Sequence, residues 1–307
     1  MNSAARNNIS AISECAWVQE FFCWINKELS SLKHTDARNM VARMVGKKEG
    51  VFQEALAEIV FMALWKKLGW DFNKDPKVQG HRPDFQLTIG NNNQSSMIAE
   101  ISIIRQNHDH YSKFVDGDWK MRVNGKIVDK WPIVKPTDQA HRVIMKVDQK
   151  YKKYFSLLGG QPLVVGLYQS GFRNKFYLDN SQFQSALYGD LKINFGTGET
   201  WRQPAIQVSE SGNELQRGLF GFEEEYKNIV AVIVCSEEFY KCDNHNDKAI
   251  IDSEWRKAKF WFTIYLNPLC ESTDGIKFFL DQHEILVSGI EKDGCLVFHE
   301  PAGIEFY

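Results

Sequence analysis

An α/β fold is what the sequence predicts: a mixed central sheet flanked by helices, with a helical extension before it and a β-rich part after it. Three observations point there. Residues 50–68, GVFQEALAEIVFMALWKKL, repeat apolar positions at Phe52, Leu56, Ile59, Ala63 and Leu68, close to the helical period, before Gly69 stops the helix. Next, Phe85, Leu87 and Ile89 alternate with Asp84, Gln86 and Thr88, and the turn-rich GNNNQSS leads into MIAEISIIR. That is the pattern of two strands joined by a loose hairpin. Third, a helix over residues 138–158 stops at Gly159 and Gly160, and PLVVGLY follows as a fully buried strand.

The remaining elements fit around this order of helix, strand, strand, helix, strand. Residues 11–48 read as helical and carry Trp17, Phe21, Phe22 and Trp24, which suits an extension packed on something larger. From Gln106 to Pro136 the pattern dissolves into His, Asp, Gly and Trp, with one small hairpin at MRVNGKIV, so this stretch reads as an insertion. Pro136, Thr137 and Asp138 supply the start of the next helix. Beyond Asp190 the chain turns irregular through NFGTGETWRQP; the apolar runs IVAVIVCS and FWFTIYLNP then offer further strands for the same sheet, and EILVSGI with CLVFHE reads as an antiparallel pair. The organisation is therefore a helical extension over 1–48, a core over 49–190 with an insertion at 106–136, and a β-rich extension over 191–307 packed on or completing that core.

Composition narrows the function classes. With 37 Lys and Arg against 39 Asp and Glu, the chain has no global attraction for nucleic acid, so any such contact comes from a local patch. Met1 to Ser13 lacks a basic region followed by an apolar one, and no apolar run approaches the roughly 18 residues of a membrane span. A soluble, cytoplasmic protein with no membrane partner is the expectation. The six cysteines are scattered without CxxC spacing, as reduced thiols would be. No GxxxxGK[ST], GxSxG or GxGxxG motif is present, which argues against a phosphate-loop NTPase, an elbow hydrolase and a dinucleotide-binding enzyme.

The candidate chemistry lies at the predicted hairpin. Asp84 opens one strand and Glu100 sits within the next, so antiparallel pairing brings the two carboxylates side by side. Alternation puts Glu100 and Ser102 on one face and Ala99, Ile101 and Ile103 on the other. A carboxylate between Ala99 and Ile101 is costly unless paired, metal-bound or facing a cleft. Two carboxylates are enough for Mg²⁺, which keeps several waters and takes further ligands from its substrate. On the following helix Arg142, Lys146, Lys150 and Lys153 recur at spacings of three and four beside the apolar face of Val143, Val147, Tyr151, Tyr154 and Leu158. That stripe suits either a solvated face or phosphates.

Each of these residues also has a plainer reading. Asp84 after Pro83 suits a strand opening or an Asx turn, and Glu54 and Glu58 suit the polar face of an amphipathic helix. His108 with His110, and Cys242 with His245, have metal-ligand spacing without a second pair, and read as loop residues. Tyr111, Phe114, Trp119 and Trp131 in the insertion suit base stacking, anchorage on the core or a protein interface.

Pro83-Asp84-Phe85, Ala99-Glu100-Ile101-Ser102, a preceding helix bearing Glu58 before Gly69, and a helix–strand pair afterwards together resemble the PD-(D/E)xK, or restriction-endonuclease-like, nuclease superfamily. The resemblance covers residues 50–170, and LDNSQFQSALYGD and the YLNP element add weaker links to uncharacterised bacterial members. It implies a restriction-endonuclease-like fold. It implies Asp84 and Glu100 as ligands of Mg²⁺ or Mn²⁺, the Ile101 carbonyl as a third, and Glu58 as an outer or second-metal ligand with Glu54 its competitor. The implied substrate is nucleic acid, DNA rather than RNA, and the implied setting is bacterial defence, with a protein partner or a homo-oligomer. The sequence departs from the family at Ser102, where the family carries the lysine that orients water and stabilises developing charge. Either Lys146 or Lys150 replaces it from the basic helix, or the chain is a degenerate relative that binds nucleic acid or protein without cutting.

Overall fold

Two helices, Ala16–Leu29 (α1) and His34–Met44 (α2), form the N-terminal part in the computed structural model. The break between them has a local cause: the Ser30 and Ser31 hydroxyls donate to the carbonyls of Lys27 and Glu28, each at 2.7 Å, and close the last turn of α1. The structure describes residues 16–46, 49–78, 80–89, 95–104, 121–123, 126–128, 136–158, 161–169, 180–203, 205–208, 214–221, 226–241, 255–267, 269–270, 289–292 and 295–298. His108, His110, Tyr111, Phe114, Trp119, Trp131, Cys242 and His245 lie outside them.

Helix Glu49–Lys67 (α3) is buried on every side from Ala55 to Trp65, rather than along one amphipathic stripe. Its inner face meets the sheet and its outer face is covered by α1 and α2, so the whole turn sequence is apolar except Glu58. Gly69, at φ 71°, ends it by entering the left-handed region.

The central sheet has the order β1-β2-β3-β6-β11-β12, where β1 is Asp71–Lys74, β2 Phe85–Ile89, β3 Ser95–Ile104, β6 Leu163–Gln169, β11 Ile229–Lys241 and β12 Trp255–Leu266. Strands β3, β6 and β11 are parallel, and antiparallel pairs close both sides. Parallel neighbours need a long crossover, which helix Pro136–Leu158 (α4) supplies between β3 and β6. Every residue of β6 is buried, as expected of a central strand covered on both faces.

Side-chain alternation sorts the core into two layers. Met97, Ala99, Ile101 and Ile103 of β3 join the cluster under α3, while Ile98 and Ile104 join the cluster under α4 and helix Asn180–Tyr188 (α5). The protein is thus a mixed α/β structure with its sheet between two helical layers. Close approach is tightest at Gly166, where an added Cβ would meet the Ile101 side chain at 2.5 Å and the Phe61 ring at 2.8 Å. Only glycine lets α3 lie this near the sheet.

Smaller hairpins flank this core. Met121–Val123 (β4) pairs with Lys126–Val128 (β5), where MRVNGKIV predicts a hairpin. The stretch after Asp190 is not irregular: Asp190–Ile193 (β7) pairs with Thr200–Gln203 (β8). Its turn has side-chain support that hydropathy does not register, since Asn194 Oδ1 accepts from the Gly196 N–H at 2.9 Å and Gly198 turns the chain at φ 75°. Ala205–Val208 (β9) pairs with Glu214–Arg217 (β10), and the last described pair joins Gly289–Lys292 (β13) to Cys295–Phe298 (β14). Of EILVSGI, residues 284–288 lie outside the described residues, and Gly289 and Ile290 take part in the pair. No helix among the described residues is long and apolar enough to cross a membrane.

Candidate active site

Strands β2 and β3 part company where the candidate carboxylates stand. Their ladder runs from Ile89 opposite Ser95 to Phe85 opposite Ala99, and one further step sets Asp84 opposite Glu100. There, side chains take over from the backbone ladder. The Asp84 N–H donates to Glu100 Oε1 at 3.1 Å, and the Ile101 N–H donates to Asp84 Oδ2 at 2.7 Å. In an extended strand the N–H and carbonyl of one residue point to the same side, so the Ile101 carbonyl faces the fork that holds Asp84.

A cleft of about 910 Å³ opens over this fork. Asp84 and Ile101 to Ile104 form its floor, Arg43, Glu54 and Glu58 of α2 and α3 one wall, and α4 the other. All four residues of the basic stripe, Arg142, Lys146, Lys150 and Lys153, line that second wall. Spacings of three and four put them on one helical face. Five cationic side chains therefore meet three lining carboxylates, which suits a polyanion.

Glu100 lies beneath the cleft at 1% exposure. Lys150 Nζ reaches its Oε2 at 2.7 Å and Lys153 Nζ stands at 3.6 Å, while the Tyr154 hydroxyl makes a short hydrogen bond to Oε1. Lys150 and Tyr154 are one helical turn apart, so α4 grips both oxygens of the same carboxylate. Burial, the Glu100 hydrogen bond and the charges of Glu100 and Asp84 all hold the Tyr154 hydroxyl protonated, well above its ordinary range. It acts on Glu100 as a donor.

Asp84 is under opposite pressure. Burial first, then the charges of Glu100 and Glu58, push its carboxyl up to about 7, against the pull of the Ile101 N–H and Lys150. Two carboxylates crowded into one fork are what a divalent cation relieves, and Asp84, Glu100 and the Ile101 carbonyl are oxygen donors of the kind Mg²⁺ and Mn²⁺ accept. Among the described residues no group of three or more His, Cys, Asp and Glu side chains converges as a dedicated metal cage. The donor set fits an ion that keeps waters and draws other ligands from its substrate.

Glu58 occupies a different situation. Arg43 grips it with both terminal nitrogens, Nη2 to Oε1 at 2.7 Å and Nη1 to Oε2 at 2.9 Å, and Lys74 Nζ adds a third contact to Oε2 at 2.7 Å. Burial works against the charge of Lys74, but Glu58, with help from Asp75, overcomes it and holds the amine above its ordinary value. The same balance holds for Arg43, where Glu58 outweighs burial and Glu54 and Asp84 add to it. Glu58 thus lines the cleft with its oxygens already claimed by two cations. Ser102 lines the cleft on the Glu100 face, and Lys150 stands beside Glu100 from the neighbouring helix.

Arg43, Lys74 and Tyr154 are the residues sequence reasoning misses. Tyr154 falls on the apolar face of its helix and reads as core, although its position one turn after Lys150 is a signal. Arg43 and Lys74 reach the site only through tertiary packing. No protein-family model matches the chain, and no curated protein or solved structure is significantly similar to it.

Proposed function

We propose that the chain is a metal-dependent nuclease with a restriction-endonuclease-like core, hydrolysing phosphodiester bonds in nucleic acid, DNA rather than RNA. The observation that carries this is Lys150 at 2.7 Å from Glu100, beside Asp84, under a cleft with an excess of cations. It supplies, from α4, the ammonium that the family takes from the position of Ser102. Asp84, Glu100 and the Ile101 carbonyl would hold Mg²⁺ or Mn²⁺, which when bound polarises the phosphoryl oxygen and lowers the pKa of an attacking water. The chain's own groups do the rest. Tyr154 and Lys150 hold Glu100 in one orientation, and the Lys150 ammonium orients water and offsets charge developing on the phosphorus oxygens. Arg142, Lys146 and Lys153 hold flanking phosphates by charge. A role in bacterial defence, with a protein partner or a second copy, follows from the resemblance alone.

One observation favours a second reading. Both Glu100 oxygens are already bonded, by Lys150 on one side and by Tyr154 and the Asp84 N–H on the other, as in a satisfied structural carboxylate. In that case the protein binds nucleic acid or a protein without cutting. Cleavage of plasmid and oligonucleotide DNA with Mg²⁺, Mn²⁺ or chelator separates the two. The nuclease reading expects divalent-dependent cutting that falls about 10³-fold or more in Asp84→Ala and in Glu100→Ala. Cutting that survives both substitutions would sink the assigned site, and a wild type that binds but never cuts selects the second reading.

A further inference from the structure

We propose that Arg43, carried by the N-terminal helices, is a substrate-binding residue that takes a phosphate of the nucleic acid from the wall opposite the α4 lysines. The inference rests on the nuclease or nucleic-acid-binding reading of the cleft and adds to it a contact from outside the core.

The basic stripe occupies one wall only. On the facing wall, among the described residues, Arg43 is the cation that lines the cleft, beside Glu54 and Glu58. Its guanidinium carries five N–H donors in a fixed plane. Two nitrogens hold Glu58, and Nη1 also approaches the Met40 sulfur at 3.7 Å. Among the described residues its remaining donors have no protein acceptor, and its side chain is 31% exposed.

The rest of the cluster explains how this cation can serve a ligand. Glu58 is also met by Lys74, whose side chain is 3% exposed and closed off from solvent. Lys74 therefore answers the Glu58 charge from below, and Arg43 presents its own charge to the cleft above. Two-point attachment to Glu58 fixes the guanidinium plane in advance, so little side-chain freedom is lost when a phosphate docks. With Lys146 and Lys150 opposite, a strand lying over Asp84 and Glu100 would have cations on both sides of its backbone. Glu58 acts here as a positioning residue, through Arg43.

Salt dependence of binding reads this directly, because each phosphate contact adds about one to the slope of log affinity against log salt. The full chain is titrated onto a fluorescein-labelled DNA oligonucleotide, single-stranded and duplex, in chelator so that nothing is cut. Arg43→Ala is expected to lower the slope by about one and to weaken unrelated sequences equally. Arg43→Lys is expected to keep the slope. Lys74 stays on Glu58 in all of these, so no buried charge is stranded, and Arg43→Gln retains a donor for Glu58 should the alanine variant lose helix docking. Thermal melts accompany each variant. A folded Arg43→Gln or Arg43→Ala with the wild-type slope makes the arginine a purely structural tie and overturns the inference, while leaving the nuclease reading standing. A wild type that neither binds nor cuts overturns both.

Discussion

Glu58 and Glu100 are both buried carboxylates at one cleft, 6% and 1% exposed, and their surroundings differ in a way that separates structure from chemistry. Around Glu58, Arg43 and Lys74 bring two cations to hydrogen-bond distance of a single buried acid. Around Glu100, Lys150 is close and Lys153 more distant, but a second carboxylate, Asp84, shares the fork. Counting Asp75, which is exposed and 3.1 Å from Lys74, each cluster holds two cations and two acids; they differ because Asp84 and Glu100 crowd into one fork with Lys153 standing 3.6 Å off, while both cations at Glu58 lie within 2.9 Å. Half-buried acids crowded against other carboxylates shift their proton affinity, as Asp84 does, and such groups belong to functional sites more often than isolated ones do. Burial alone does not distinguish the two glutamates; the placement of the neighbouring charges does.

Substitutions on the two sides should therefore fail differently. The largest effect is expected for Lys150→Met, which should lower kcat by about 10²–10³-fold with little change in KM, the loss expected when a group acts mainly in the transition state. Single-turnover cleavage measures it; an unchanged rate would hand the ammonium role to Lys146. On the other side, Lys74→Met should cost about 3 kcal/mol of folding stability by urea denaturation, the lower end for breaking a buried pair because Arg43 still meets Glu58. Its cleavage rate per folded molecule should change far less than that of Lys150→Met, and equal losses would erase the contrast.

The third and smallest effect carries a sign that can be worked out. Asp84 titrates near 3.9 in the unfolded chain, by the ordinary aspartate value, and at about 7 in the folded protein. The folded state therefore holds a proton that the unfolded state has released across that window. The stabilisation is complete below the unfolded pKa and disappears as pH rises through the folded pKa. Without divalent cations, Asp84→Asn should match or trail wild type near pH 4 and exceed it at pH 8, by on the order of 2 kcal/mol. Denaturation curves across that range check it.

Much of this arrangement was legible in the sequence. The order of α3, β2, β3, α4 and β6 follows from apolar period and turn residues, and Glu100 announces itself as a charge between Ala99 and Ile101. The spacing from Lys146 to Lys150 to Lys153 placed the cations on one helical face. What the sequence withheld depends on packing between distant elements. Strand β1 carries no alternating apolar pattern, its burial rising only at Lys74, and it exists because its backbone pairs with β2. The grip of Arg43 on Glu58 is set by how α2 crosses α3, which no local pattern encodes. The full burial of α3 likewise comes from α1 and α2 lying over a face that the periodicity of Phe52, Leu56 and Ile59 leaves to solvent.

The crowded pair of Asp84 and Glu100 is tested most directly by titrating Mn²⁺ into wild type and Asp84→Asn by calorimetry, without nucleic acid, at pH 8 and at pH 6. One site on wild type at pH 8 is predicted, weaker at pH 6 because the ion competes with the proton on Asp84, and lost in Asp84→Asn. Equal affinity in wild type and Asp84→Asn, or no binding to wild type at pH 8, would contradict the claim that Asp84 and Glu100 form a cation site.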